Sequence, residues 1–156
     1  MGKKSFTLVE IITVLVIVGI SVGLFYSVFY VNLLSLDKET TSLNLWDESK
    51  EIVEKISFDG KICGRVELIS EKEIAFIFLD QREVRYIFSE DGHLIRKTLG
   101  DMGEEVIISS NINYGGSKFD LENDRVLILE LTLEENVLGK PVTVSTSTQI
   151  MLRNYL

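Results

Sequence analysis

Residues 3–39 read KKSFTLVEIITVLVIVGISVGLFYSVFYVNLLSLDKE, and this stretch decides how the rest of the chain is organised. From Ile11 to Leu36 there is no charged residue. At about 1.5 Å per residue these roughly 26 residues make a helix about 39 Å long, more than the roughly 30 Å of a bilayer's hydrocarbon core. Val, Ile, Leu and Phe dominate, no proline interrupts the run, and Gly19 and Gly23 are its only soft points.

Charge brackets the run. Lys3 and Lys4 precede it, and Glu10 sits at its start. Setting these three aside, the chain from Asp37 onward carries 14 basic and 23 acidic residues, a net of −9. Nucleic-acid affinity comes mainly from Lys and Arg neutralising phosphates, so an acidic head disfavours a direct nucleic-acid role. The 156 residues suffice for one compact domain plus the apolar appendage. Cys63 is the only cysteine, so no intrachain disulfide forms; it reads as a small buried hydrophobe.

Three membrane readings compete for the apolar run. A cleaved secretory signal peptide has the basic n-region, but its apolar core is normally about 7–15 residues. The one small-x-small site, Ser21-Val22-Gly23, is followed by more apolar sequence. An uncleaved signal anchor fits the length, with the lysines inside and the bulk of the chain outside. That reading leaves Glu10 without a purpose, since a carboxylate deep in a bilayer costs a few kcal/mol. At the membrane edge Glu10 sits among headgroups at little cost. Deeper in, it calls for a cation, and a free terminal amine nearby would supply one.

Lys3-Lys4-Ser5-Phe6-Thr7-Leu8-Val9-Glu10 with the apolar run behind it resembles the third reading: the prepilin signature of type IV pilins and type II secretion pseudopilins. The resemblance implies a leader of residues 1–5 and cleavage between Ser5 and Phe6 by a membrane peptidase. It also implies N-methylation of the new terminus at Phe6, and Glu10 as fifth residue of the mature chain. It further implies a single-pass protein of the inner, cytoplasmic membrane with its head outside the cytoplasm, later drawn into a pilus or pseudopilus. Its partners would be other pilins or pseudopilins through the helix, and the prepilin peptidase/methyltransferase; no cofactor is implied. In a helix bundle the new amine of one subunit would pair with Glu10 of a neighbour, strengthened by the low dielectric and setting axial register. Ser5 stands where the family usually has Gly, and the helix-kinking proline of many major pilins is missing. The first bears on the efficiency of cleavage; the second points to a minor or specialised subunit. Type IV pilus, type II secretion and competence systems share the signature.

Beyond Leu36 no helix breaker intervenes. Leu45, Ser49, Ile52, Val53 and Ile56 fall on one narrow helical face, flanked by Leu43 and Trp46, with Asp59-Gly60 as a stop. The expectation is one helix, about Phe6 to Ser57, with a transmembrane segment over 6–36 and an extracytoplasmic head over 37–156. The head divides into an amphipathic helical half, 37–57, and a sheet region, 61–156. Strands are expected over Ile62–Ile69, Glu73–Leu79, Glu83–Phe88, His93–Leu99 and Glu105–Asn113, then over Leu127–Glu134 and Val142–Leu152. Glu90-Asp91-Gly92 reads as a type I′ hairpin turn, Tyr114-Gly115-Gly116-Ser117 as a turn, and Gly139-Lys140-Pro141 as a break. The fold class is α+β, a long helix packed on an antiparallel sheet. It agrees with the pilin-like fold that the N-terminus implies. The segment from Val84-Arg85-Tyr86 through Leu94-Ile95-Arg96, and the ending Met151-Leu152-Arg153-Asn154, resemble the heads of J-type minor pseudopilins and related minor pilins.

Catalytic patterns do not emerge, and the expectation is a structural subunit rather than an enzyme. His93 is the single histidine and reads as a solvated hairpin residue, so no His pair for zinc exists. Gly115-Gly116-Ser117-Lys118 lacks P-loop spacing. Asp120, Glu122 and Asp124 offer oxygens at alternate positions, as some pseudopilin heads use for calcium. Arg125 stands where an EF-hand would need glycine, so a solvated acidic turn is the plainer reading. The alternative to a filament subunit is an uncleaved bitopic protein whose head binds a ligand or partner.

Overall fold

The computed structural model describes residues 7–100, 103–123 and 125–152. Helix α1 spans Leu8–Ile62. Eight strands follow: β1 (Arg65–Ser70), β2 (Glu73–Ile77), β3 (Glu83–Phe88), β4 (Leu94–Leu99), β5 (Glu105–Ser109), β6 (Lys118–Glu122), β7 (Val126–Val137) and β8 (Lys140–Met151). A long helix packed on antiparallel sheet is the α+β arrangement that the residue pattern called for. The chain clusters into two compact units, Met1–Glu39 and Thr40–Leu156.

In the first unit the helix turns apolar side chains outward on every side. Its hydroxyls bond back into the helix: Thr13 donates to the Val9 carbonyl, Ser21 to Ile17 and Ser35 to Val31. These i−4 bonds satisfy the hydroxyls within the helix itself. Among the described residues this is the one helix long and apolar enough to cross a membrane, which is compatible with a single-pass membrane protein.

In the second unit the helix buries Leu45, Ser49, Ile52 and Ile56, the narrow face that the spacing predicts. Trp46 flanks this face and remains about half exposed, a rim residue. The strands make two antiparallel sheets rather than one: β1-β2-β3-β4-β5 and β6-β7-β8. One core joins helix and sheets through Phe76, Tyr86 and Phe88 of the first sheet and Phe119 and the β7 leucines of the second. Phe88 stacks on Phe119 at 4.6 Å between ring centroids. Leu127, Leu129, Leu131 and Leu133 are buried while Ile128, Glu130, Thr132 and Glu134 lie half-buried on the other face, as their alternation predicts.

The sheets are also tied by polar bonds. The Phe119 amide donates to the Glu71 carbonyl. The Lys72 ammonium donates to the Tyr114 and Ser117 carbonyls and sits over the Tyr114 ring.

Several expectations are corrected. The helix runs through Asp59-Gly60 to Ile62, so β1 starts at Arg65 rather than at Ile62. Gly60 is buried; a Cβ there would lie 3.2 Å from Leu152 and 3.4 Å from Phe76, so its lack of a side chain serves packing rather than termination. At Glu90-Asp91-Gly92 only Gly92 has positive φ. Gly92 donates to the Ser89 carbonyl and Ser89 to the His93 carbonyl, a three-residue hairpin connection and not a type I′ turn. The two consecutive positive φ values of a type I′ turn occur instead at Leu138 (53°) and Gly139 (76°), between the paired residues Val137 and Lys140. Gly139-Lys140-Pro141 therefore joins strands, and Pro141 is accommodated because β8 is an edge. β5 ends at Ser109, and Ile112 makes an isolated bridge to Leu133. Asp120 and Glu122 lie in β6, not in a loop.

Candidate functional site

Two places concentrate polar chemistry, one in each unit. The first is the start of the helix. Thr7 caps it: the Thr7 amide donates to Glu10 Oε2 at 2.9 Å and its hydroxyl donates to the same oxygen at 3.0 Å. In return the Glu10 amide donates to Thr7 Oγ1 at 3.3 Å. This is a capping box, in which Thr-x-x-Glu satisfies backbone donors that a helix start leaves open. Thr7 carried no assigned role from the sequence, although the Thr7-Leu8-Val9-Glu10 spacing is the signal for it. Glu10 is exposed, and Ile11, Val14 and Leu15 continue beside it. The Ser5–Phe6 bond lies outside the described residues.

The second place is in the head. Asp59, near the end of the helix, is buried. Tyr86 from β3 donates its hydroxyl to Asp59 Oδ2 at 2.7 Å. Arg96 from β4 donates to the same oxygen through Nη2 at 3.1 Å and Nε at 3.3 Å, and through Nε to the Tyr86 hydroxyl at 3.2 Å. Burial, reinforced by the Asp59 carboxylate, raises the Tyr86 phenol well above its ordinary range. The phenol therefore stays protonated and acts as a donor. Three groups from three elements share one oxygen, which locks the helix to β3 and β4. Tyr86 and Arg96 stand opposite each other in the β3–β4 register. Sequence reading placed both in strands and missed Asp59, because it took Asp-Gly for a helix stop.

A groove of about 660 Å³ opens beside this cluster, lined by Phe58, Glu54 and Glu51 of the helix and by Val106 and Ile108 of β5. Its polar floor, Asp59, Tyr86 and Arg96, is mutually hydrogen-bonded.

The remaining candidates do not assemble. Asp120 and Glu122 lie on one exposed face of β6, and Asp124 falls outside the described residues. Among the described residues no group of three or more His, Cys, Asp or Glu side chains is placed to hold a metal ion. Cys63 is buried, donates to the Gly60 carbonyl, and has its thiol pushed up to about 11 by burial. His93 is half-buried rather than solvated, with Nδ1 out of contact with any partner among the described residues.

No protein-family model, no curated protein and no solved structure matches this chain.

Proposed function

We propose that this chain is a structural subunit of the type IV pilin-like class, a minor pilin or pseudopilin serving a pilus, type II secretion or competence filament. A membrane peptidase cuts the Ser5–Phe6 bond and methylates Phe6; the helix then leaves the cytoplasmic membrane and joins a bundle of like helices, with the head on the extracytoplasmic side. The observation that carries this reading is the pairing of a charge-free run, Ile11–Leu36, with a single carboxylate at its entrance, Glu10. Apolar side chains exposed all round a helix need lipid or other helices to cover them.

Intact-mass and N-terminal peptide mass spectrometry of the protein from its native membrane tests the proposal. A chain beginning at N-methyl-Phe6 is the expected result. A chain that keeps residues 1–5 sinks it.

A second reading, an uncleaved bitopic protein with a partner-binding head, is favoured by the Thr7–Glu10 capping box. That box gives the carboxylate local partners without any new amine. In that case Glu10→Gln weakens only the helix start.

A further inference from the structure

Four strands stand at sheet edges: β1 and β5 of the larger sheet, β6 and β8 of the smaller. An open edge is a template for another strand, and proteins normally guard it with charges, proline or covering structure. β1 carries the Arg65–Glu67 ion pair. β6 alternates Lys118, Asp120 and Glu122 on one face. β8 has Pro141 and a run of Ser and Thr. β5 reads Glu105-Val106-Ile107-Ile108-Ser109, with Val106 and Ile107 both exposed. Among the described strands at an edge it is the one with two exposed large apolar side chains, where β1 has Ile69 alone and β8 Met151 alone; Val106, with Ile108, lines the groove, and Ile107 lies on the face away from it.

The pairing of β5 with β4 says which backbone groups are open. The Thr98 amide donates to the Glu104 carbonyl, which makes that facing pair a hydrogen-bonded one. Alternation along an antiparallel ladder then turns the Val106 amide and carbonyl toward Arg96. It turns those of Glu105 and Ile107 outward. No backbone bond to their outer side occurs among the described residues.

The chemistry around the edge specifies what fits. The groove continues the sheet surface from Val106 and Ile108 to the exposed Phe58 ring, so every second side chain of an added strand would meet apolar surface. Its surroundings are acidic. Glu51 and Glu54 of α1 line it with Asp59, Glu48 stands one turn earlier on the same helix, and Glu104 precedes β5. Against these five carboxylates stand Lys55 and Arg96, which are bound to Glu51 and Asp59. Glu54 has no ion-pair partner among the described residues. An incoming strand is thus favoured if the side chains it turns toward the groove include lysine or arginine as well as apolar residues.

We infer that the β5 edge and the groove beside it form a docking site for an extended polypeptide segment of a partner protein. That segment adds a strand to the larger sheet, seats apolar side chains against Phe58, Val106 and Ile108, and offers basic ones to the Glu51–Glu54 rim. All of these residues lie in the head, so the inference stands independently of N-terminal processing.

The test uses the full chain in detergent micelles and a ten-residue peptide with valine and lysine alternating along one face and threonine at every second position, with amide exchange read residue by residue by NMR. With the peptide at ten times its dissociation constant, exchange at Glu105 and Ile107 is expected to slow roughly tenfold, with no comparable change at Val106. A peptide of equal charge with proline at each valine position should give no protection. Ile107→Pro removes one outward donor and should weaken binding. Val106→Lys, on the groove side, leaves the backbone ladder intact and sets a like charge against the peptide's lysines, so it tests the site even if the proline variant misfolds. The inference is overturned if Glu105 and Ile107 gain no protection, if the proline peptide protects them equally, or if Val106→Lys binds with undiminished affinity.

Discussion

Tyr86→Phe removes one oxygen atom from the best-connected polar site in the head. In the native protein the phenol is fully buried and donates to the Asp59 carboxylate at 2.7 Å. A hydrogen bond to a charged group contributes about 1.5–3 kcal/mol. Arg96 remains to neutralise Asp59, so the loss should not exceed that range. At neutral pH the variant should be less stable by about 2 kcal/mol. The alkaline limb is more discriminating. The folded-state pKa of Tyr86 is raised, first by burial and then by Asp59. The native state therefore holds the proton after the unfolded state has released it, at about pH 10. The stabilisation is complete below about pH 10 and is lost as pH rises further, by about 1.4 kcal/mol per pH unit until the folded pKa is reached. Phenylalanine has no proton to lose, so the two stability curves should converge above pH 10 and meet about one and a half pH units higher. Urea unfolding of the full chain in micelles at fixed ionic strength, followed by the fluorescence of Trp46, the only tryptophan, measures both. Titration of the other tyrosines is common to both proteins and cancels in the difference. A gap that stays constant from pH 8 to pH 11.5 would refute the reasoning, because it would mean that burial and the contact with Asp59 do not hold the proton on Tyr86.

Leu138 holds a left-handed φ of 53° at a hairpin tip while 69% exposed, a conformation that costs a non-glycine residue about 1–2 kcal/mol; Leu138→Gly or Leu138→Asn should raise the urea midpoint without changing the slope. Gly116→Ala would place a Cβ 2.8 Å from Thr132 Cβ and Oγ1 on β7, and the forced shift should destabilise the head by about 1–3 kcal/mol in the same assay. Cys63, buried and with its thiol raised to about 11, should react with a thiol reagent at pH 8 far more slowly in the native chain than in urea; equal rates would contradict its burial. Glu10→Leu should leave processing between Ser5 and Phe6 intact while lowering incorporation into filaments, and normal incorporation in a filament-counting assay would remove the charge-pairing account of register.

Much of the architecture was legible because it rests on periodicity. The leucines of β7 and the face Leu45, Ser49, Ile52 and Ile56 announce their burial by spacing alone, since neighbours on one face of a strand or helix share one environment. The errors fell where a local signal had two uses. Asp59-Gly60 looks like a helix stop, yet both residues are spent on tertiary contacts: the carboxylate on Tyr86 and Arg96, the glycine on Leu152 and Phe76. Asp91-Gly92 and Leu138-Gly139 show the same exchange, for the favoured Asp-Gly pair takes a three-residue connection while an unfavourable Leu-Gly pair takes the two-residue turn. The long β7–β8 ladder brings Val137 opposite Lys140, and the gain along that ladder outweighs strain at one leucine.

By itself the sequence determined what depends on composition and near neighbours. That comprises a helix able to span a membrane and an acidic α+β head; the Thr7–Glu10 cap is equally local but became visible only in the structure. Only the tertiary structure decided what depends on residues distant along the chain. The strands divide into two sheets, with Phe88 stacked on Phe119 between them. Asp59, Tyr86 and Arg96 meet at one oxygen although 37 positions separate the first from the last. β5, no more apolar than its neighbours, is left at an edge with its backbone open. Periodicity reports which way a side chain faces within its own element; which element it meets is settled by the order in which strands pair.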